Sequence, residues 1–205
     1  KMLYDNAQLI ALYSQAYKVS KHALHKDVVY ETIDFLEREL MSEDGTFYAA
    51  LDADSEGEEG RFYTWTIREI RDAAGDHEEL FCEYYNVMPQ GNWEHGRNIL
   101  YRTTSIQRIA EMHDMTTEQA AEALRSIRDR LMEVRANRVR PGLDSKVLTG
   151  WNAMTIWGLV EAYHAFGDER FMNMALRCGR SLAGKMLRDG KLFRTAGTGK
   201  SSIGA

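Results

Sequence analysis

The chain is short of the residues that most often settle a protein's class. It has two prolines and two cysteines in 205 residues. Cys82 and Cys178 lie far apart in no CxxC pattern, which excludes a disulfide framework and a cysteine-based zinc site and fits a reducing, cytoplasmic compartment. No apolar run approaches the roughly 20 residues that span a bilayer, and no signal peptide is recognisable, so no membrane partner is expected. Twenty-six lysines and arginines face 31 aspartates and glutamates, a net charge of −5. With no basic stripe of interleaved aromatics, nucleic acid is excluded as a partner. There is no GxSxG elbow, no dinucleotide fingerprint and no second histidine at ligand spacing to His95, so neither cofactor nor metal is expected. Gly197–Ser202 is glycine-rich but not at Walker spacing, and reads as a loop between hairpins.

What is present is a 44% hydrophobic chain, enough for a substantial core and one domain over residues 1–205. It opens on Lys1 rather than Met, and is expected to be a piece of a longer protein. The densest feature is Asp52-Ala53-Asp54-Ser55-Glu56-Gly57-Glu58-Glu59, five carboxylates in eight residues. Carboxylates this close repel, so they need solvent, a cation or a site that uses them. Asp52, Asp54, Glu56 and Gly57 mimic the start of an EF-hand loop, but the twelfth position is Tyr63 rather than glutamate. The β-prone flanks Phe47–Leu51 and Arg61–Trp65 predict a hairpin with a long acidic tip. A solvated tip and a substrate-facing loop both fit the letters.

Most of the remaining chain has helical spacing. Leu9, Leu12, Tyr13, Ala16 and Tyr17 mark one helix, and Val29, Ile33, Leu36 and Leu40 a second after a short turn, which predicts an antiparallel pair. Thr66 with Glu69 and Thr116 with Gln119 are capping-box pairs. The organising clue is an internal repeat. Asn6 and Asn152, Ala16-Tyr17 and Ala162-Tyr163, and Leu36 and Leu182 recur at one offset of 146 residues. Each copy closes on an Asp-Gly turn, Asp44-Gly45 or Asp189-Gly190, followed by a short strand at Phe47 or Phe193. Helical hairpins that repeat must stack on their neighbours. With β-connections between hairpins, the expected fold is all-α, a partial α/α toroid with short β-hairpin connections. The two copies, with a diverged unit between them, would form about half of a six-hairpin ring.

Lys1-Met2-Leu3-Tyr4-Asp5-Asn6-Ala7-Gln8-Leu9, the Asp52–Trp65 segment, Gly91-Asn92-Trp93-Glu94 and Asp144-Ser145-Lys146-Val147-Leu148-Thr149-Gly150-Trp151-Asn152 together resemble the thioredoxin-domain family related to spermatogenesis-associated protein 20, which includes bacterial YyaL-like proteins. The resemblance spans nearly the whole chain. It implies a thioredoxin-like domain elsewhere in the full-length protein, and a six-hairpin toroid similar to that of glycosidases and sugar epimerases, of which this chain is the first half. Ser145 stands where the family has Asp-Asp-Lys, and Trp93 where it often has Phe.

In a toroid, the segments leading into the inner helices face the central funnel. A sugar site there needs aromatic faces, amides for hydroxyl groups and paired carboxyls. Tyr4, Trp65, Trp93 and Trp151 supply the first, and Asn6, Asn92 and Asn152 the second, with Asp5 and Glu94 as further substrate contacts. Asp52, Asp54 and Asp144 are the acid/base candidates, with Lys146 beside Asp144 to pair with it or steer an anion. Each has a plainer reading: the tryptophans as core, the asparagines as helix caps, and Asp144 with Lys146 as an exposed ion pair. Two functions follow. One is a carbohydrate-active or carbohydrate-binding domain, glycosidase- or epimerase-like, using acid/base chemistry. The other is a non-catalytic scaffold or client-binding module for the thioredoxin-like domain. An isolated half-ring is also expected to self-associate.

Overall fold

Helices α1 (Leu3–Ser20) and α2 (Ala23–Glu39) form the first copy of the repeat, and α7 (Thr149–Phe166) and α8 (Glu169–Met186) the second. Both ends of α1 and α7 keep the 146-residue offset. In the computed structural model, which describes residues 1–196, the glycine-rich stretch from Gly197 onward lies outside the described residues. The first turn of each copy uses the same device. The helix ends on a left-handed residue, Lys21 (φ 55°) or Gly167 (φ 70°), whose N–H donates to the carbonyl of Tyr17 or Tyr163. A helix can stop abruptly there because the left-handed residue turns its own N–H back onto the last helical turn. His22 Nδ1 and the Asp168 carboxylate then accept from backbone amides to start α2 and α8.

The chain divides into two compact units, one of Lys1–Asp52 with the chain from Gly142 onward, the other Ala53–Pro141. The two repeat copies are therefore direct neighbours in the first unit, and the stretch expected to be a diverged hairpin between them is a separate compact body. α1 packs along α7, and Gly158 makes this approach close: a Cβ there would lie 2.7 Å from the Ala7 carbonyl. Leu3, Ile10, Ile33, Leu36, Phe47, Leu159 and Phe171 fill the core they share with α2 and α8.

Two-residue strands join these helices. β1 (Ala50–Leu51) pairs antiparallel with β6 (Leu143–Asp144), and β7 (Val147–Leu148) with β10 (Thr195–Ala196). β8 (Leu187–Arg188) and β9 (Lys191–Leu192) close around Asp189-Gly190, both at positive φ, the geometry of a tight hairpin turn. The second copy is one residue shorter at its turn. Tyr48 N–H donates to Leu40 O, and Phe193 N–H donates to Met186 O. Thus Phe193 takes the place of Tyr48, and Leu192, not Phe193, takes the place of Phe47.

In the second unit β2 (Asp54–Ser55) pairs with β3 (Glu58–Glu59) around Glu56-Gly57, again both at positive φ. The acidic hairpin is thus a tight one, and its expected flanks do not pair with each other. Ala50-Leu51 goes to β6, while β4 (Trp65–Thr66) pairs with β5 (Arg97–Asn98). Gly57 permits the two-residue turn that makes a long loop unnecessary. Helices α3 (Ile67–Ala74), α4 (Glu78–Tyr84), α5 (Ile106–Met112) and α6 (Thr117–Ala136) enclose Ile70, Phe81, Ile109, Leu124 and Ile127. Both capping boxes are formed. The fold is all-α, with helical hairpins joined by short β-connections. Among the described residues, no helix is long and apolar enough to cross a membrane.

Candidate functional site

The N-terminal ends of α1 and α7 lie together because the helices are parallel, equivalent and in contact. A small ladder crosses this end. Leu3 N–H donates to Ala49 O (2.9 Å), Ala50 sits opposite Asp144, and Asp52 N–H donates to Gly142 O (2.8 Å). A Cβ on Gly142 would lie 3.9 Å from that of Asp52, so positions 52 and 142 point the same way. Strand alternation puts Asp144 on that face too, on a diagonal of roughly 7–8 Å. Lys146 holds Asp144 from two sides, its N–H at 3.3 Å from Oδ1 and its Nζ at 3.1 Å from Oδ2. Tyr4 and Trp151, one from each helix start, meet edge to face at 4.8 Å. Six of the expected site residues, Tyr4, Asp5, Asp52, Asp144, Lys146 and Trp151, are therefore gathered at one end of the first unit.

From Asp5 an open groove of about 570 Å³ runs along α1, lined by Gln8, Leu9, Leu12, Gln15 and, from α7, Trp157. Trp157 is 47% exposed, so its indole is available to a ligand. Sequence reasoning missed Trp157, Gln8 and Gln15. The signal was the spacing of Asp5, Gln8, Leu12 and Gln15, one helical stripe distinct from the buried one. An indole, two carboxamides and a carboxylate on one surface suit a polyhydroxylated ligand with apolar ring faces.

Other expected contacts are spent on the fold. Asn152 is fully buried. Its Oδ1 accepts from Phe47 N–H (2.8 Å), and its Nδ2 donates to the carbonyls of Phe47 and Leu148 (both 3.0 Å). It cannot contact substrate, because its amide clamps the strand of the preceding hairpin. Asn6 donates to Met2 O at 2.6 Å. Trp65 is 4% exposed, with the Arg138 guanidinium 3.9 Å from its ring centre. It is a core aromatic covered by a cation. Asn92 donates to the carbonyls of Asn86 and Ile99 and accepts from Ile99 N–H, shaping its own loop. Trp93 lies against Gly60, its Nε1 3.3 Å from where a Cβ would sit. Glu94 and Asp54 are exposed. Trp65, Asn92, Trp93, Glu94 and Asp54 all belong to the second unit.

The acidic hairpin is partly neutralised within its own unit, since Arg61 bridges Glu56 (3.0 Å) and Glu58 (2.9 Å). Nearby, Arg138 and Arg97 converge on Glu69 and on the carbonyls of residues 61–64. Burial pulls the Glu69 carboxyl upward, but hydrogen bonds from Thr66 and the two guanidiniums outweigh it and hold the group below its ordinary value. Burial also pushes the Cys82 thiol up to about 11 and Cys178 to about 12, so neither is a ready nucleophile. Among the described residues, no three His, Cys, Asp or Glu side chains cluster as metal ligands would.

No family model matches the chain. It is 31% identical to human spermatogenesis-associated protein 20, covering 97% of this chain and 29% of that protein. It is 30% identical to the mouse protein of the same name, with the same coverage. The chain thus spans about three tenths of the length of these relatives. Among solved structures it is similar to a sugar epimerase from a ruminal bacterium, with 14% identity, TM-score 0.26, and 95% and 45% of the two chains covered. It is also similar to a cellobiose 2-epimerase from Spirochaeta thermophila, with 14% identity, TM-score 0.29, and 100% and 65% covered. Likenesses this weak say nothing about substrate or reaction.

Proposed function

From the premise that this chain is a relative, over nearly its whole length, of a segment of spermatogenesis-associated protein 20, we propose that the α1–α7 groove and the ladder at its end form a carbohydrate site. The reading is carried by one observation: Asp5 lines the groove that exposes Trp157 and stands at the same helix end as Asp52 and Asp144. Trp157 would stack on a sugar ring, and Gln8 and Gln15 would take its hydroxyls. Asp52 and Asp144 would exchange protons on the sugar, one as acid and one as base. Lys146 offsets the charge of Asp144. Such a domain would act in the cytoplasm, beside a thioredoxin-like domain of the longer protein.

Titration of tryptophan fluorescence with mono- and disaccharides tests this. Saturable quenching in the wild type, lost in Trp157→Ala and weakened about tenfold or more in Asp5→Asn, is expected. Unchanged fluorescence up to molar sugar would sink the carbohydrate reading. The exposed apolar pair Leu9 and Leu12 in the same groove favours a second reading, a scaffold or client module that seats an extended peptide for the thioredoxin-like domain. Quenching by unfolded peptides and not by sugars would select it.

A further inference from the structure

Five arginines of the second unit meet around one cavity. Arg61, Arg97 and Arg138 line a space of about 330 Å³ with Glu56, Glu69 and Phe62. Arg135 and Arg140 hold their guanidiniums 5.6 and 5.9 Å from the centre of the Phe62 ring, so the apolar part of the lining is itself flanked by cations. Among the groups that line the cavity, three guanidiniums face two carboxylates. Arg138 senses the surplus: burial, aided by the like charges of Arg97 and Arg61, holds its guanidinium below the ordinary value against the pull of Glu69.

The two carboxylates are not equally held. Glu69 accepts from the Thr66 N–H and hydroxyl at 2.8 and 2.9 Å and from Arg138 at 2.8 Å, and it pairs with Arg97 at 3.5 Å. Glu56 pairs with Arg61 alone among the described residues, at 3.0 Å, and its side chain is exposed. It heads a two-residue turn at φ 55°, a position that favours asparagine or glycine, so the backbone does not call for a glutamate there. The guanidiniums also keep spare capacity. Arg97 uses Nε and Nη2 on Thr64, Glu69 and the Arg61 carbonyl, and Arg61 uses Nε and Nη1 on Glu56 and Glu58. Nη1 of Arg97 and Nη2 of Arg61 make no hydrogen bond among the described residues.

We propose that this cavity is a binding site for a phosphate group, either the free ion or a small monoester, which takes the place of the Glu56 carboxylate on Arg61 and the spare edge of Arg97. The planar guanidinium fork matches phosphate oxygens. A monoester carries roughly −1.5 to −2 charge at neutral pH, more than the carboxylate that it displaces. Glu56 is then a tethered stand-in for the ligand, lodged on Arg61 when the cavity is empty. All of these residues belong to the second unit, so the site stands independently of the α1–α7 groove.

Nuclear magnetic resonance of the 15N-labelled 205-residue chain reads the outcome, through its backbone amides and arginine Nε–H signals, titrated with inorganic phosphate, glycerol 3-phosphate and glycerol. The same spectra confirm that each variant stays folded. Saturable shifts at Arg61 and Arg97 are expected with both phosphates at a Kd of about 1 mM or below, and none with glycerol. A tighter Kd for glycerol 3-phosphate assigns the site to monoesters, and equal values assign it to the free ion. Arg61→Gln should weaken binding about tenfold, and Glu56→Gln should tighten it about threefold or more. The same two changes in the Glu122–Arg125 pair, outside the cavity, should leave the Kd unchanged. Signals that stay still up to about 20 mM phosphate overturn the proposal. So does a Kd that Glu56→Gln fails to tighten, or one that Arg125→Gln weakens as much as Arg61→Gln, since either makes the binding a matter of net charge or of another place.

Discussion

Asn152 shows how much one amide can hold. Its replacement by alanine would strip partners from a buried N–H and a buried C=O of Phe47, and desolvated groups without partners are costly. Asn152→Ala should lower unfolding stability by about 3 kcal/mol in urea titrations, against under about 1 kcal/mol for Asn6→Ala in the monomer; equal losses would contradict the clamp. The repeat made both asparagines conspicuous in the sequence, but not their difference. An asparagine at a helix start suits capping, ligand binding and clamping alike, and here the deciding partner lies 105 residues away. The capping boxes at Thr66 and Thr116 were legible for the opposite reason: donor and acceptor are three residues apart. Trp157 escaped notice because tryptophan usually signals core, and only the packing of α1 on α7 leaves it at a groove.

Among the elements, the helices and the pairing across each Asp-Gly turn were legible, and the long-range strand pairings were not. Apolar spacing marks α1 and α2 and the 146-residue offset carries them to α7 and α8, although α1 buries Leu3, Ala7, Ile10 and Ala11 and leaves the expected Leu9 and Leu12 exposed. A two-residue strand has no period to read, so the pairing of Ala50 with Asp144 and of Trp65 with Asn98 is set by tertiary packing. The equivalent helix ends offer a direct comparison. Lys21 holds φ 55° where its counterpart is Gly167, and a Cβ is strained in that region. Lys21→Gly should raise stability by about 0.5–1 kcal/mol, and Gly167→Ala should lower it by a similar amount. Denaturation midpoints check both signs, and a destabilised Lys21→Gly would mean the Lys21 side chain matters more than its backbone.

At the scale of the whole molecule, the two units have separate cores and different sensitivities. Glu69 of the second unit is held below its ordinary value of 4.5 by Thr66, Arg138 and Arg97, against the upward pull of burial. It binds its proton more weakly folded than unfolded, so its contribution is complete above about pH 4.5 and drains away as pH falls through the lower folded value. Acidification should therefore loosen the second unit, and Glu69→Gln should be less stable at neutral pH but flatter in its pH profile; amide exchange resolved by residue reads both. A profile as steep in Glu69→Gln as in the wild type would assign the acid sensitivity to other groups. The chain leaves the first unit at Asp52 and re-enters it at Gly142, and those two residues share a hydrogen bond of 2.8 Å. The host hairpins thus see residues 53–141 as they would see a tight turn. Replacing residues 53–141 by an Asn-Gly turn should therefore leave the pairing of Ala50 with Asp144 in register, which amide exchange of the shortened chain would check.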